Sequence, residues 1–222
     1  MLLAFETATN VCSVAFKDDG GQIHEKRIEK RGAHSEQLFL FLEELMKEQG
    51  FAVSDLKAVL VSEGPGSYTG LRISASAVKG LLFGTEIPLY AINTLAGFAQ
   101  SVFDQGIKSE TIHSVIDARR VHLYHQAFAV EEDGLQAETE VEIKPIEQVQ
   151  EMIKPGDTVV GTGTKRIDEE VLKNASVFGP EQITARALIT LYNNSGQGSP
   201  FITRADPESY DPKYYTSRQA KK

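Results

Sequence analysis

The sequence predicts a mixed α/β protein of two similar lobes that face a cleft. Short apolar runs, typical of buried strands, alternate with longer segments whose apolar residues recur at helical spacing. The order of these elements in the first half returns in the second, and the acidic residues Glu6 and Asp117, at the end of the first strand of each half, lie 111 positions apart (117 − 6). Such repetition indicates a duplicated α/β unit. We therefore expect an N-terminal lobe over 1–104 and a reduced C-terminal lobe, with a tail, over 105–222.

Each half is predicted to begin with three strands and to continue with alternating helices and strands. In the first half the elements cover 2–5, 12–16, 22–30, 35–48, 55–62, 71–83, 88–92 and 94–103. In the second half they cover 112–116, 121–130, 135–143, 146–153, 158–160, 167–172, 177–178 and 184–192. The helix over 35–48, with Ser35 as its expected N-cap, is apolar over an arc of about 160°, wider than a one-sided helix needs. It is therefore either a deeply buried core helix or one that also contacts a partner.

The composition excludes several classes of protein. The chain has 222 residues, of which 41% are hydrophobic, and a net charge of −8. It is therefore a poor stand-alone binder of nucleic acid, because the phosphates require many cationic residues. No apolar run approaches the ~20 residues of a membrane span, and the first residues lack the pattern of a signal peptide. We expect a soluble, cytoplasmic protein.

Neither a metal site nor a nucleophilic triad is expected. His122 and His125 are three positions apart on a predicted strand, so they point to opposite faces and cannot chelate one ion together. Ser67 and Thr69 are hydroxyl residues in a glycine-rich segment, but no base can be identified for either of them. The one cysteine, Cys12, lies in an apolar alternation and is expected to be a small core residue.

A glycine-rich segment joins the fourth predicted strand to the helix that follows it. Its residues are Gly64, Pro65, Gly66, Ser67, Tyr68, Thr69, Gly70, Leu71 and Arg72. A phosphate-binding P-loop has four residues between its glycines and then Gly-Lys-Ser/Thr, whereas five residues separate Gly64 from Gly70 here. The Gly-x-Ser-x-Gly spacing of a hydrolase nucleophile is absent too. The segment is either a tight turn or a loop for close approach to an anion or a partner.

The same segment carries a family resemblance. The stretch 64–73, followed by Lys79-Gly80-Leu81 and Phe83-Gly84, resembles the signature of the bacterial TsaB (YeaZ) family. Three further stretches agree with that family in order and spacing: 3–9, 34–36 and 116–120. The resemblance covers roughly the first 125 residues, and the last third of the chain matches loosely. It implies the two-lobed actin-like ATPase fold (the ASKHA class, with a ribonuclease H-like motif).

In that fold class, acidic residues at the end of the first strand of each lobe flank a metal–phosphate centre. The resemblance gives those places to Glu6 and Asp117, although Glu6 stands where most of the class carries aspartate. Thr7 would lie at the phosphates, and Gly161 and Gly163 would form a reduced adenosine loop. The longer Glu6 side chain displaces the carboxylate, which catalysis tolerates badly. We expect at most a vestigial nucleotide site, with no catalytic residue and no cofactor of its own. ATP or ADP at an interface shared with a partner is left open.

The resemblance also implies a function. TsaB proteins support formation of the threonylcarbamoyl group on adenosine 37 of tRNAs that read codons beginning with adenine. They bind and activate the TsaD transferase subunit together with the TsaE ATPase, and they meet tRNA only within that complex. The expected partner surface, which could also form a homodimer, consists of Leu38, Phe41, Leu42, Leu45, Ser76, Lys79, Gly80 and Phe83. The alternatives are a stand-alone ATP-binding or ATP-hydrolysing protein and an interaction module outside tRNA modification.

Overall fold

The computed structural model describes residues 1–132, 134–196 and 198–215. The strands are β1 (Leu2–Glu6), β2 (Val11–Lys17), β3 (Ile23–Glu29), β4 (Ala58–Gly64), β5 (Leu89–Asn93), β6 (Thr111–Asp117), β7 (His122–Glu131), β8 (Gly134–Ala137), β9 (Glu142–Pro145), β10 (Thr158–Val160), β11 (Ser176–Phe178) and β12 (Ile202–Ala205). The α-helices are α1 (His34–Gln49), α2 (Tyr68–Leu82), α3 (Thr94–Phe103), α4 (Ile146–Met152), α5 (Glu169–Leu172) and α6 (Ala185–Ser195). Within the described ranges, no helix has the length and apolar character needed to cross a membrane.

The strands of the described residues form two sheets with the same internal order. The first sheet runs β12-β5-β4-β1-β2-β3 and the second β11-β10-β6-β7-β8, with β9 also pairing with β7. In the first sheet β1 is antiparallel to β2 and parallel to β4. In the second sheet β6 is likewise antiparallel to β7 and parallel to β10. The predicted duplicated, two-lobed α/β fold is confirmed. One difference is that the strand predicted over 135–143 is divided into β8 and β9.

The two halves of the sequence do not separate cleanly into the two sheets. Strand β12 lies in the second half of the chain but pairs antiparallel with β5 and extends the first sheet. Helix α6 also belongs to the second half, yet it packs on β1, β2 and β3. The proposed division at residue 104 therefore follows the duplication in the sequence, while the chain returns to the first sheet near its end. Residues 216–222, at the end of the lobe predicted over 105–222, lie outside the described residues.

The helices cover the sheets in layers. Helices α1 and α2 pack on one face of the first sheet, where Leu3, Phe5 and Val61 contribute to the core. Helices α3 and α6 cover its other face, and α3 also contacts strands of the second sheet, so one continuous apolar core joins the lobes. A smaller core around Val115 and Val149 lies between the second sheet and α4. This arrangement leaves the outer sides of α1 and α2 facing solvent.

Two helices begin earlier than predicted. Helix α1 starts at His34, and the N-cap position is Ala33, whose side chain makes no capping bond, so the expectation that Ser35 is the N-cap was wrong. Helix α2 starts at Tyr68, three residues before the predicted start, because the Ser67 hydroxyl accepts a hydrogen bond from the Gly70 amide. The second half of the glycine-rich segment is therefore the first turn of a helix.

Candidate functional site

The candidate site is built around the glycine-rich segment, which we call the signature loop (residues 64–72). The Ser67 amide donates to the Ala8 carbonyl at 2.6 Å, and the buried Thr7 hydroxyl donates to the Gly70 carbonyl at 2.9 Å. On the other side, the Gly64 amide donates to the Thr94 hydroxyl at the start of α3, at 3.0 Å. The loop is thus bonded to the turn that follows β1 and to a second helix.

The glycines of the loop permit contact between two backbone segments. A Cβ atom on Gly66 would overlap the Ala8 carbonyl oxygen, and one on Gly70 would overlap the Thr7 carbonyl oxygen. The turn after β1 is the place where the resemblance puts phosphates. Here that turn is covered by the protein's own loop, in which Pro65 is buried and Thr69 is exposed to solvent. The geometry favours the tight turn over a phosphate cradle.

The C-terminal segment covers the signature loop on its remaining side. The Lys213 amide donates to the Glu63 carbonyl at 2.7 Å, and its ammonium group lies 2.8 Å from the Glu63 carboxylate. Burial raises the pKa of Glu63, and the Lys213 hydrogen bond opposes that rise. Tyr210 is buried in the core beneath α2. Because the ion pair joins the end of β4 to the last described residues, it fixes both at the loop.

The same segment connects the loop to the second lobe. The Tyr214 ring packs against Tyr68 with a centroid distance of 4.9 Å, and the Arg72 guanidinium lies over the Tyr68 ring at 4.1 Å. Arg72 also donates to the Tyr214 hydroxyl at 3.3 Å. One residue further on, the Tyr215 carbonyl accepts from Tyr124 of β7 at 3.4 Å. Residues 210–215 therefore span the edge between the two lobes.

Glu6 and Asp117 end β1 and β6, but each is bonded within its own lobe. Glu6 is fully buried, and its carboxylate accepts from the Ala8 amide at 2.6 Å. Burial raises the pKa of Glu6 to about 7, so the protonated and ionised forms are both populated near neutral pH. Asp117 is exposed and pairs with Arg166 at 2.7 Å and with the Arg119 amide at 2.8 Å. Both carboxylates are therefore engaged by groups of their own lobe in this arrangement.

The second lobe has a smaller counterpart of the signature loop. Gly161 and Gly163 follow β10 and lie against Val115 of β6, where a Cβ on Gly161 would overlap the Val115 carbonyl oxygen. The Thr162 hydroxyl accepts a weak bond from the Asp117 amide at 3.4 Å. As in the first lobe, these glycines serve backbone packing between neighbouring strands. The structure brings Asp117, Gly161 and Gly163 together, and Glu6, Thr7 and Gly70 together.

The predicted partner residues on α1 are mostly in the core. Leu38, Leu42 and Leu45 are buried against the first sheet, where they contribute to the core, so their predicted role as anchors of a partner surface stays a prediction that the burial does not favour. They lie on the side of α1 that must cover the sheet. Phe41 is half-buried. The sequence reasoning missed Phe39, which is 53% exposed.

The outer side of the two helices nevertheless carries exposed apolar groups. On α2, Ser76 and Gly80 are exposed, Lys79 is half-exposed, and Phe83, directly after the helix, is 78% exposed. On α1, Leu40 is 43% exposed. On a helical projection of 35–48, Leu40 falls outside the arc of the other apolar residues. This position is the feature of the sequence that indicates a second apolar surface on α1. Phe39, Leu40 and Phe83, with Ser76, Lys79 and Gly80, are called the outer helical face below.

Residues 26–189 match the family model described as TsaD: tRNA N6-adenosine threonylcarbamoyltransferase. The Escherichia coli K12 protein named tRNA threonylcarbamoyladenosine biosynthesis protein TsaB is 30% identical over 166 residues, which are 73% of this chain and 71% of that protein. The chain belongs to the TsaB (YeaZ) family. A Haemophilus influenzae TsaB is 32% identical over 123 residues, covering 55% of this chain and 51% of that protein.

A solved structure extends the relationship to nearly the whole chain. It is a Pseudomonas aeruginosa protein described as similar to peptidase YeaZ, with a TM-score of 0.81 and 26% identity. The alignment covers 96% of this chain and 98% of that one. The two-lobed architecture, including the last third that resembled the family loosely in sequence, is therefore shared with YeaZ.

Glu6→Gln is expected to remove a pH dependence of stability. As pH rises from about 4.5 towards 7, the unfolded chain releases a proton that folded Glu6 retains, so wild-type stability falls. A shift of that size corresponds to about 3 kcal/mol. Because glutamine stays neutral and can still accept from the Ala8 amide, the variant should equal wild type near pH 4.5 and exceed it by about 2–3 kcal/mol at pH 8.

Urea unfolding at both pH values measures this difference. Glu86→Gln is the matched control, since Glu86 is exposed between α2 and β5 and should leave the pH profile unchanged. A Glu6→Gln variant that is less stable than wild type at pH 8 would show that ionised Glu6 stabilises the fold.

Proposed function

We propose that this chain is a non-catalytic subunit needed to form the threonylcarbamoyl group on adenosine 37 of tRNAs that read codons beginning with adenine. It binds a TsaD-type transferase and activates it together with a TsaE-type ATPase, and it meets tRNA only in that complex. The observation that carries this proposal is its relationship to TsaB proteins, which extends over the two-lobed fold. The chain works in the cytoplasm, where the tRNA substrates of that complex are.

The outer helical face supports the choice of partner surface. Exposed apolar side chains near one another on a protein surface are typical of interaction sites. The exposed Phe83 follows Gly80 by three residues, and apart from its own helix no described atom lies within 4 Å of a Cβ built on Gly80. A partner side chain therefore has access to the α2 backbone there. Because residues 26–189 also match the transferase family model, a TsaD-type partner offers an equivalent pair of helices. For the same reason, a second copy of this chain could occupy the surface.

The interior of the site supports a non-catalytic role. The turn after β1 is covered by the signature loop, and the Glu6 carboxylate is buried on the Ala8 amide. Because the Glu6 carboxyl group is buried and directed at its own backbone, it is held away from a nucleotide and is poorly placed to act as a metal ligand or as a base for ATP hydrolysis. Any ATP or ADP would then lie at the interface shared with the partner subunits, where their residues complete the site.

Reconstitution tests the proposal. The chain is mixed with TsaD-type and TsaE-type subunits of the same organism, ATP, threonylcarbamoyl-adenylate and an unmodified tRNA, and the modified nucleoside is measured by mass spectrometry. We expect modification only when this chain is present, and neither ATP hydrolysis nor tRNA modification by the chain alone. ATP turnover by the isolated chain that is lost in Glu6→Ala would replace the proposal with the stand-alone ATPase. Failure to co-purify with the transferase would indicate an interaction module of another pathway.

A further inference from the structure

A buried line of three titratable side chains lies on the outer face of the second sheet. His113 on β6 and His125 on β7 have stacked rings, with centroids 5.3 Å apart. His113 Nδ1 lies 3.0 Å from His125 Nε2, and His113 Nε2 lies 3.1 Å from the carboxylate of Asp157, just before β10. All three side chains are buried. The Asp157 carboxylate also accepts from the Lys154 amide at 2.7 Å.

The hydrogen bonds fix the tautomer of each ring. A carboxylate accepts, so His113 Nε2 carries the proton and donates to Asp157. Neutral His113 therefore has a bare Nδ1, which accepts from the Nε2–H of His125. His125 Nδ1 is left as a bare acceptor, and among the described residues nothing donates to it. This nitrogen is the one unoccupied basic site of the line.

The surroundings oppose a positive charge at that nitrogen. The pKa of His125 is lowered to about 3, chiefly because the ring is buried. Neighbouring His113 and Lys144 of β9 lower it further. Burial lowers the pKa of His113 as well, although Asp157 and Glu138 act in the opposite direction and Lys154 acts with the burial.

We propose that the Asp157–His113–His125 line is an acid-sensitive latch that holds β6, β7 and the entry to β10 together and loosens the second lobe when it takes up a proton. The line joins the neighbouring strands β6 and β7 to Asp157, which lies 44 positions after His113, and the residues that follow β10 include Gly161 and Gly163 of the candidate site. The direction of the pH effect on stability follows from linkage. In the unfolded chain the pKa of a histidine is about 6.5, whereas folded His125 has a pKa of about 3. The latch therefore contributes its full stability above pH 6.5 and loses it as the pH falls towards 3.

His125→Gln in the full chain tests the latch. Glutamine can donate to His113 Nδ1 but does not titrate, and urea unfolding is measured at pH 7.5 and 5.0. The folding equilibrium constant of wild type should fall relative to that of the variant by about tenfold per pH unit below 6.5, which is about 30-fold at pH 5.0. His122→Gln, on the same strand but the opposite face, should follow wild type. Equal pH dependence of wild type and His125→Gln would overturn the proposal.

A second measurement on wild type keeps the test decisive if the variant does not fold. Nitrogen-15 NMR of labelled histidines should show Nε2–H tautomers for His113 and His125 at pH 7.5, and both rings still neutral at pH 5.0. A protonated His125 Nδ1, or titration of His125 near pH 6.5, would overturn the latch. Amide exchange at pH 5.0, corrected for intrinsic rates, should show a larger loss of protection in β6 and β7 than in β1 and β2, and equal losses would argue against a latch in the second lobe.

Discussion

Gly70→Ala is expected to lower the free energy of unfolding by about 2–3 kcal/mol, although alanine is normally the better residue in a helix. Its Cβ would overlap the Thr7 carbonyl oxygen, which is backbone and cannot rotate away. The first turn of α2 would have to move outwards, and the hydrogen bond from the Thr7 hydroxyl to the Gly70 carbonyl would be lost. Urea unfolding at constant pH measures the change.

Gly80→Ala is the matched control in the same helix. Apart from the helix itself, no described atom lies within 4 Å of a Cβ at that position, so the substitution introduces no overlap. It should raise the free energy of unfolding by up to about 1 kcal/mol, because glycine costs that much in a helix interior. Two variants that are stabilised equally would mean that the signature loop does not pack on the turn after β1.

The order of elements could be predicted because each follows from a local pattern. Period-two and period-3.6 apolar spacing gave the strands and helices of both lobes, and helix α3 was predicted with the same limits that it has, Thr94–Phe103. Its N-cap, Asn93, accepts from the amides of Leu95 and Ala96, so a local signal marks its start. The duplication then followed from comparing the two halves, without any knowledge of contacts.

The parts that could not be predicted depend on contacts between distant residues. Strand β12 has four residues between segments rich in glycine, serine and proline, too few to show a period, and it exists because β5 offers a free edge. The side of α1 that faces the sheet could not be chosen while both sides carried apolar residues. The pairing of His113 with His125, and the bond from Glu6 to its own backbone, likewise appear only once the strands are in register.

Phe83→Asp is expected to weaken binding of a TsaD-type subunit by at least about 30-fold, which corresponds to about 2 kcal/mol, while leaving stability within about 0.5 kcal/mol of wild type. Phe83 is 78% exposed, so the free chain loses little packing, whereas the bound state would have to bury a carboxylate beside Gly80. Titration calorimetry with the purified transferase subunit measures the affinity.

Val177→Asp supplies the control, because Val177 is 44% exposed on β11, at the edge of the other sheet. It should leave the affinity unchanged, and Leu40→Asp on α1 should weaken binding as Phe83→Asp does. Comparison of Val177→Asp with the two variants of the outer helical face separates the loss of a specific binding surface from a general effect of added negative charge on an acidic protein. If Phe83→Asp binds as tightly as wild type and Val177→Asp does not, the partner surface lies on the second lobe and the outer helical face has another role.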